Sequence, residues 1–124
     1  MSTVAVLGAS DNPERTAYQA LSRLLAQDYA VIPVSPKGGE IAGRPVVKGL
    51  QEIDQPVDTV TMYIGPDRQA AVMDDLISLQ PRRVIFNPGT ENPDLYPRLH
   101  DAGIEVQEAC TLVLLSTRQF DLPV

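Results

Sequence analysis

The chain has 124 residues, of which 44% are hydrophobic and 21% are charged, a composition typical of one soluble globular domain. No apolar run approaches the roughly 20 residues that a membrane-spanning helix needs, and no secretory signal is visible, so we expect a cytoplasmic protein without membrane contact. The formal net charge of −6 argues against nucleic acid as a partner, and one cysteine with one histidine leaves too few groups for an internal disulfide or a zinc site.

The first part of the chain has the pattern of a strand, a helix and a second strand. Thr3–Leu7 is an apolar, β-branched run closed by Gly8, which predicts a strand buried on both faces. Apolar residues then recur at helical spacing over 17–25. The run Ala30–Val34 predicts a second strand, and its Pro33 favours an edge position because proline has no amide hydrogen to donate.

The remainder of the chain continues this alternation of strands and helices. Further strands are predicted at 59–64, 83–86 and 104–106. Helices are predicted from Pro66 and from Asn92–Pro93. The segment 38–57 is too long for a tight turn and contains only a brief helical stretch around 50–53. The apolar segment Thr111–Thr117 is interpreted as a short helix that closes the open end of the sheet.

Five strands alternating with helices predict a single doubly wound, Rossmann-like α/β domain over residues 1–124. The expected sheet is five-stranded and mainly parallel, with helices on both faces. In such a sheet, ligands bind beyond the carboxyl ends of the strands, where the winding reverses. This rule places the candidate site around Gly8, Ser35 and Gly65, each of which directly follows a predicted strand.

The loop from Gly8 to Arg15 matches only part of a dinucleotide-binding fingerprint. The G-x-G-x-x-G motif requires three glycines, and this chain has Gly8, Ser10 and Pro13 at those positions. A phosphate can still bind at the start of the following helix, with Ser10 as hydroxyl donor and Arg15 as counter-charge. The alternative is that Ser10 and its neighbours only form turns and cap the helix.

The second candidate segment is the stretch VSPKGG at the end of the second strand. NAD-dependent enzymes have an acidic residue here to accept from the ribose hydroxyls, whereas this chain has Ser35, Pro36 and Lys37. A lysine favours a phosphate on the ribose, which leaves NADP and coenzyme A as candidates; the alternative is a solvated surface lysine. Because the whole chain is acidic, an anionic ligand must be held locally, by backbone amides at a helix start and by individual cations such as Arg15, Lys37 and Arg44.

Four stretches together resemble a known family. They are VAVLGASDNPERTAY, VIPVSPKGGEIAGRPVVKGL, PVDTVTMYIGP and AGIEVQEAC. In this order they are similar to the small stand-alone CoA-binding proteins, whose fold is similar to the CoA-binding domain of the succinyl-CoA synthetase α-subunit. The resemblance covers nearly the whole chain, and the order of the motifs is more specific than any one of them.

The resemblance implies a coenzyme A site at the same loops. The pyrophosphate side would be held by the residues after the first strand, Gly8, Ala9, Ser10 and Arg15. The adenosine 3′-phosphate would face the residues after the second strand, Ser35, Pro36 and Lys37. The path of the adenine or pantetheine would be lined by the residues at the end of the third strand, Ile64, Gly65 and Pro66.

No arrangement typical of a catalytic site is visible in the sequence. There is no G-x-S-x-G elbow, paired-histidine motif or Cys–His arrangement; His100 is interpreted as a solvent-facing helix residue and Cys110 as a small buried apolar side chain. We therefore expect a module that binds coenzyme A or a short acyl-CoA without catalysis of its own. The alternatives are a fragment of an NADP-dependent oxidoreductase and a subunit that lends its CoA site to an unidentified partner enzyme.

Overall fold

A parallel sheet forms the centre of the protein, whose computed structural model describes residues 2–122. The elements in chain order are β1 (Thr3–Leu7), α1 (Thr16–Ala26), β2 (Ala30–Val34), β3 (Glu40–Ile41), β4 (Arg44–Pro45), β5 (Thr59–Met62), α2 (Pro66–Gln69), α3 (Met73–Leu79), β6 (Arg83–Phe86), α4 (Tyr96–Asp101), β7 (Glu105–Glu108) and α5 (Thr111–Ser116). Within the described residues, five strands pair in the order β2-β1-β5-β6-β7, all in parallel. The predicted doubly wound α/β class is confirmed.

Helices cover both faces of this sheet because successive side chains of each strand point to opposite sides. In β1, Val4 and Val6 pack on the face covered by α1 and α5, whereas Ala5 and Leu7 pack on the face covered by α3 and α4. All four side chains are buried, as expected for a strand in the middle of a parallel sheet. β2 lies at one edge, where the missing amide hydrogen of Pro33 is tolerated.

β1, β2 and β6 have the predicted bounds, whereas β5 and β7 do not. β5 ends at Met62, two residues earlier than predicted, because the chain turns away and the carbonyl of Ile64 accepts from Gln69 Nε2 at 2.9 Å. β7 begins one residue later than predicted, because the amide of Ile104 donates to the carbonyl of Leu99 at 2.9 Å, and it ends two residues later, at Glu108. The amide of Ile104 therefore completes the turn after α4 before the strand begins.

Both helices predicted after β5 and β6 are interrupted. The helix that begins at Pro66 is divided into α2 and α3 by a 3₁₀ turn at Ala70–Val72. The helix predicted from Asn92–Pro93 begins as a 3₁₀ turn, and α4 follows with Pro97 in its first turn, where proline needs no amide hydrogen. Each interruption shortens the helix without changing the face that it covers.

Two other segments differ from the prediction in kind. The segment 38–57 contains a small antiparallel hairpin, β3 and β4, in addition to the expected helical stretch, a 3₁₀ turn at Leu50–Glu52. α5 does not close the end of the sheet. It lies on the same face as α1, because Leu114 and Leu115 are buried in the apolar cluster of that face.

A buried arginine ties the C-terminal segment to the amino ends of the strands. Arg83 is fully buried, and its guanidinium donates to Thr59 Oγ1 from Nε at 3.1 Å and from Nη2 at 3.0 Å. Its Nη1 donates to Gln107 Oε1 at 3.0 Å and to the carbonyl of Phe120 at 2.8 Å. The guanidinium carbon also lies 4.6 Å from the centre of the Phe120 ring. Burial lowers the pKa of Arg83, and neutral acceptors satisfy its donors.

No helix in the described part of the chain is both long enough and apolar enough to cross a membrane.

We predict that Arg83→Met lowers the free energy of unfolding by about 1.5–3 kcal/mol, the range for hydrogen bonds to a charged group. The substitution removes the donor from the buried carbonyl of Phe120 and from the half-buried side-chain oxygen Oε1 of Gln107. Urea denaturation measures the change. Arg98→Met is the control, because the ion pair of Arg98 with Asp74 is exposed and its loss costs less than about 1 kcal/mol. Equal losses in the two variants would contradict this role of Arg83.

Candidate functional site

A cleft with a volume of about 750 Å³ opens at the carboxyl ends of β1, β2 and β5. β1 pairs with β2 on one side and with β5 on the other, so the direction of winding reverses at this point. Eight of the ten site residues predicted from the sequence line this cleft, namely Gly8, Ala9, Ser10, Arg15, Ser35, Pro36, Lys37 and Ile64. The three loops that carry them are therefore brought together as predicted.

Three other residues named from the sequence lie outside the cleft lining. Gly65 and Pro66 begin α2, and the carbonyl of Pro66 accepts from Asn92 Nδ2 at 3.1 Å. Through this bond Pro66 contacts the loop after β6. Arg44 is exposed on β4, at the tip of the small hairpin.

Gly8 forms the floor of the cleft with bare backbone. Its φ of +91° favours glycine, and a Cβ at this position would lie 3.0 Å from the carbonyl carbon and oxygen of Tyr63. The amides of Gly8 and Ala9 both donate to the carbonyl of Val34, at 3.1 and 3.0 Å. A side chain at position 8 would therefore push β1 and β5 apart.

The loop after Gly8 is built from local turns. Ser10 Oγ accepts from the amide of Asn12 at 3.1 Å, and Asn12 Oδ1 accepts from the amide of Glu14 at 3.0 Å. Arg15 precedes the first turn of α1, which no side chain caps. The turn-forming role considered for Ser10 is therefore present, and Ser10 also lines the cleft. The uncapped first turn leaves the partial positive charge of the helix start at the cleft wall.

The segment after β2 is held as a tight turn beside the cleft. Ser35 is 8% exposed, its amide donates to the carbonyl of Val47 at 3.0 Å, and its carbonyl accepts from the amide of Gly38 at 3.0 Å. Ser35 Oγ lies 3.4 Å from the amide nitrogen of Lys37. This turn presents the exposed Lys37 side chain at the rim.

The cleft concentrates positive charge in an acidic chain. Lys48 and Arg68, which the sequence did not single out, line it together with Arg15 and Lys37, and Asp75 adds one carboxylate. None of these four cations takes part in an ion pair among residues 2–122. The chain as a whole has a formal net charge of −6. An anion is therefore attracted to this cleft and repelled by most of the remaining surface.

Tyr63 forms part of the wall that separates the cleft from α5. The side chain is partly buried among the residues of the α1 and α5 face, and burial raises the pKa of its phenol to about 12. The phenol is therefore protonated and neutral at physiological pH. The sequence did not identify Tyr63 as a cleft residue, because the predicted strand 59–64 placed it inside the sheet.

A buried polar network lies on the other side of Tyr63, around Asn87. Asn87 Nδ2 donates to Thr61 Oγ1 at 2.7 Å and to the carbonyl of Met62 at 2.9 Å, and Asn87 Oδ1 accepts from the amide of Thr111 at 2.9 Å. These bonds fix the start of α5.

Cys110 directly precedes α5 and lies outside the cleft lining. Its side chain is partly exposed, whereas a buried side chain was predicted.

His100 is exposed on α4, as predicted. Within the described chain, no three His, Cys, Asp or Glu side chains are grouped closely enough to hold a metal ion. The cleft is lined by backbone, hydroxyl groups, apolar side chains, four cations and the carboxylate of Asp75.

The profile of the CoA binding domain matches residues 2–116. This chain belongs to the CoA binding domain family. The domain is similar in sequence to the uncharacterized protein YneT of Bacillus subtilis (strain 168), with 29% identity over 100 residues, which are 81% of this chain and 74% of that protein.

Solved structures share the fold of this CoA binding domain. A crystal structure of an uncharacterized protein superposes with a TM-score of 0.91 and 42% identity, over 97% of this chain and 98% of that one. The cell-free ID.343 protein from Thermus thermophilus superposes with a TM-score of 0.88 and 32% identity, over 96% and 90%. The dinucleotide-forming acetyl-coenzyme A synthetase 1 of Ca. Korarchaeum cryptofilum shares the fold at 24% identity, with a TM-score of 0.77 over 87% of this chain and 25% of the synthetase.

We predict that Gly8→Ala destabilises the CoA binding domain more than Gly39→Ala does. Both glycines have positive φ values, +91° and +84°, but a Cβ on Gly39 would meet nothing within 4 Å. The difference isolates the contact with Tyr63 and is expected to be about 1–3 kcal/mol, as for overpacking in a core. Urea denaturation of both variants measures it. Equal destabilisation would show that backbone conformation alone requires Gly8.

Proposed function

We propose that this domain binds coenzyme A or a short acyl-CoA in the cleft between β1, β2 and β5. The observation that carries the proposal is the excess of positive charge in this cleft, at the point of the sheet where nucleotides bind. Coenzyme A carries a pyrophosphate and a 3′-phosphate, and such groups bind tightly to cations and to amides at a helix start. Membership of the CoA binding domain family supports the same ligand.

The proposed orientation follows the positions of the cations. The pyrophosphate lies near Gly8 and the start of α1, where backbone can approach it and Arg15 supplies a charge. The adenosine 3′-phosphate lies at the Ser35–Gly38 turn, beside Lys37. The apolar side chain of Ile64 contacts the uncharged part of the ligand between them.

We further propose that the domain carries, senses or buffers its ligand without catalysis of its own. Neither His100 nor Cys110, the chain's single histidine and single cysteine, lines the cleft. The hydroxyl of Tyr63 is held in its neutral form, and Ser10 Oγ accepts a hydrogen bond from its own loop. None of these groups forms the nucleophile and base pair that covalent catalysis requires.

We predict that the wild-type protein binds coenzyme A more tightly than dephospho-CoA, and that Lys37→Met abolishes most of this preference. Loss of one charge-assisted contact costs about 1.5–3 kcal/mol, which corresponds to roughly a tenfold or larger loss of affinity for coenzyme A. The affinity for dephospho-CoA should not change. Titration calorimetry measures both ligands. Equal affinities of the wild-type protein for the two would remove the role assigned to Lys37.

We predict that NADP binds much more weakly than coenzyme A, although it also carries a phosphate on its ribose. Ser10 and Pro13 occupy positions where the dinucleotide fingerprint needs glycine for close approach of the pyrophosphate and for helix packing. Competition between NADPH, followed by its fluorescence, and coenzyme A measures the order of affinities. Tight NADPH binding that coenzyme A fails to displace would favour an oxidoreductase fragment instead.

A further inference from the structure

The chain contains only two lysines, Lys37 and Lys48, and both line the same cleft. We propose that Lys48 is a second phosphate-binding cation, and that with Lys37 it makes the cleft selective for ligands carrying a terminal phosphate monoester on the ribose. This inference rests on the proposed binding of coenzyme A and assigns a second residue, which acts together with Lys37, to its specificity.

Backbone pairing places Lys48 beside Lys37. Val47 forms a parallel bridge with Val34, its amide donates to the carbonyl of Pro33 at 3.0 Å, and its carbonyl accepts from the amide of Ser35 at 3.0 Å. The segment before Lys48 thus extends the sheet beyond β2 for a short distance. Lys48 is the residue directly after this bridge, so it lies next to the turn that contains Lys37.

The side chain of Lys48 lies across Gly38. A Cβ on Gly38 would lie 3.1 Å from Lys48 Cε and 3.5 Å from Lys48 Cγ, so the lysine stem passes directly over this glycine. Gly38 also has a φ of +63°, which favours glycine. The stem of Lys48 therefore packs against the turn that contains Lys37, and Lys48 lines the cleft.

The nearby carboxylate of Glu52 does not neutralise Lys48 through an ion pair. Glu52 Oε1 accepts from the backbone amide of Lys48 at 3.0 Å, and among residues 2–122 no carboxylate lies within 4.0 Å of the Lys48 ammonium. Lys37 also has no such partner there. Two ammonium groups are thus available for a ligand on one side of the cleft.

Two ammonium groups suit a phosphate monoester better than a diester. A monoester carries a charge of about −1.5 to −2 at pH 7, whereas each phosphate of a bridging pyrophosphate is already esterified. A ribose hydroxyl, as in dephospho-CoA, has no charge to offer to either lysine. The affinity gained from Lys48 should therefore depend on the ribose phosphate alone.

The test is titration calorimetry of coenzyme A, dephospho-CoA and adenosine 3′,5′-bisphosphate with the wild-type protein and Lys48→Met. Methionine keeps an unbranched stem across Gly38 and removes the ammonium. We expect the affinities for coenzyme A and the bisphosphate to fall about tenfold, whereas the affinity for dephospho-CoA changes less than about twofold. Arg44→Met is the matched control, because Arg44 lies on β4 outside the cleft lining and its loss removes the same charge.

A second measurement uses the wild-type protein and does not depend on how a variant folds. Reductive methylation followed by peptide mass spectrometry reports Lys37 and Lys48 separately, because no other lysine is present. Saturating coenzyme A should slow the labelling of both, and saturating dephospho-CoA should leave Lys48 as reactive as in the free protein.

The outcomes separate this inference from the proposed function. If the wild-type protein prefers coenzyme A and Lys48→Met keeps that preference, the role of Lys48 is overturned and the proposed function stands. If Lys48→Met weakens coenzyme A and dephospho-CoA equally, Lys48 does not act on the ribose phosphate and the inference also fails. A wild-type protein that binds neither coenzyme A nor the bisphosphate overturns both.

Discussion

The contact between Gly8 and the end of β5 is the constraint on which the sheet and the cleft both depend. The amide of Tyr63 donates to the carbonyl of Leu7 at 2.8 Å, while the amides of Gly8 and Ala9 reach back to the carbonyl of Val34. The carboxyl ends of β1, β2 and β5 are thus joined by backbone alone. Gly8 thus takes part both in the close approach of β1 to β5 and in the lining of the cleft.

The sequence predicted the central strands well because their apolar content reports burial directly. Val4 and Val60 are fully buried in strands that were recognisable from a few consecutive residues. Tertiary contacts set the strand ends, such as the bond from Gln69 to Ile64, and periodicity does not report them. The small hairpin was missed because its strands have two residues each and its turn uses Ala42 at a φ of +50°, an uncommon residue for that conformation.

For the site, the sequence was informative wherever a residue directly follows a strand. Ser35 and Lys37 are placed by the end of β2, so the topology rule was sufficient for them. Lys48 follows no predicted strand. Its position depends on the bridge between Val34 and Val47, which no pattern in the neighbouring sequence predicts. Gly65 was named because it follows the predicted strand 59–64, and it lies outside the cleft lining because β5 ends earlier, at Met62.

The buried Arg83 network has a consequence for how this fold tolerates change. It fastens Phe120 and the first residues of β5 and β6 at the amino ends of the strands, whereas the cleft lies at their carboxyl ends. The anchoring of the sheet and the recognition of a ligand thus occupy opposite edges of one small domain. Substitutions in the loops of the cleft, apart from Gly8 and Gly38, therefore act far from the contacts of Arg83. A scaffold divided in this way lends itself to acquiring new ligands by loop replacement.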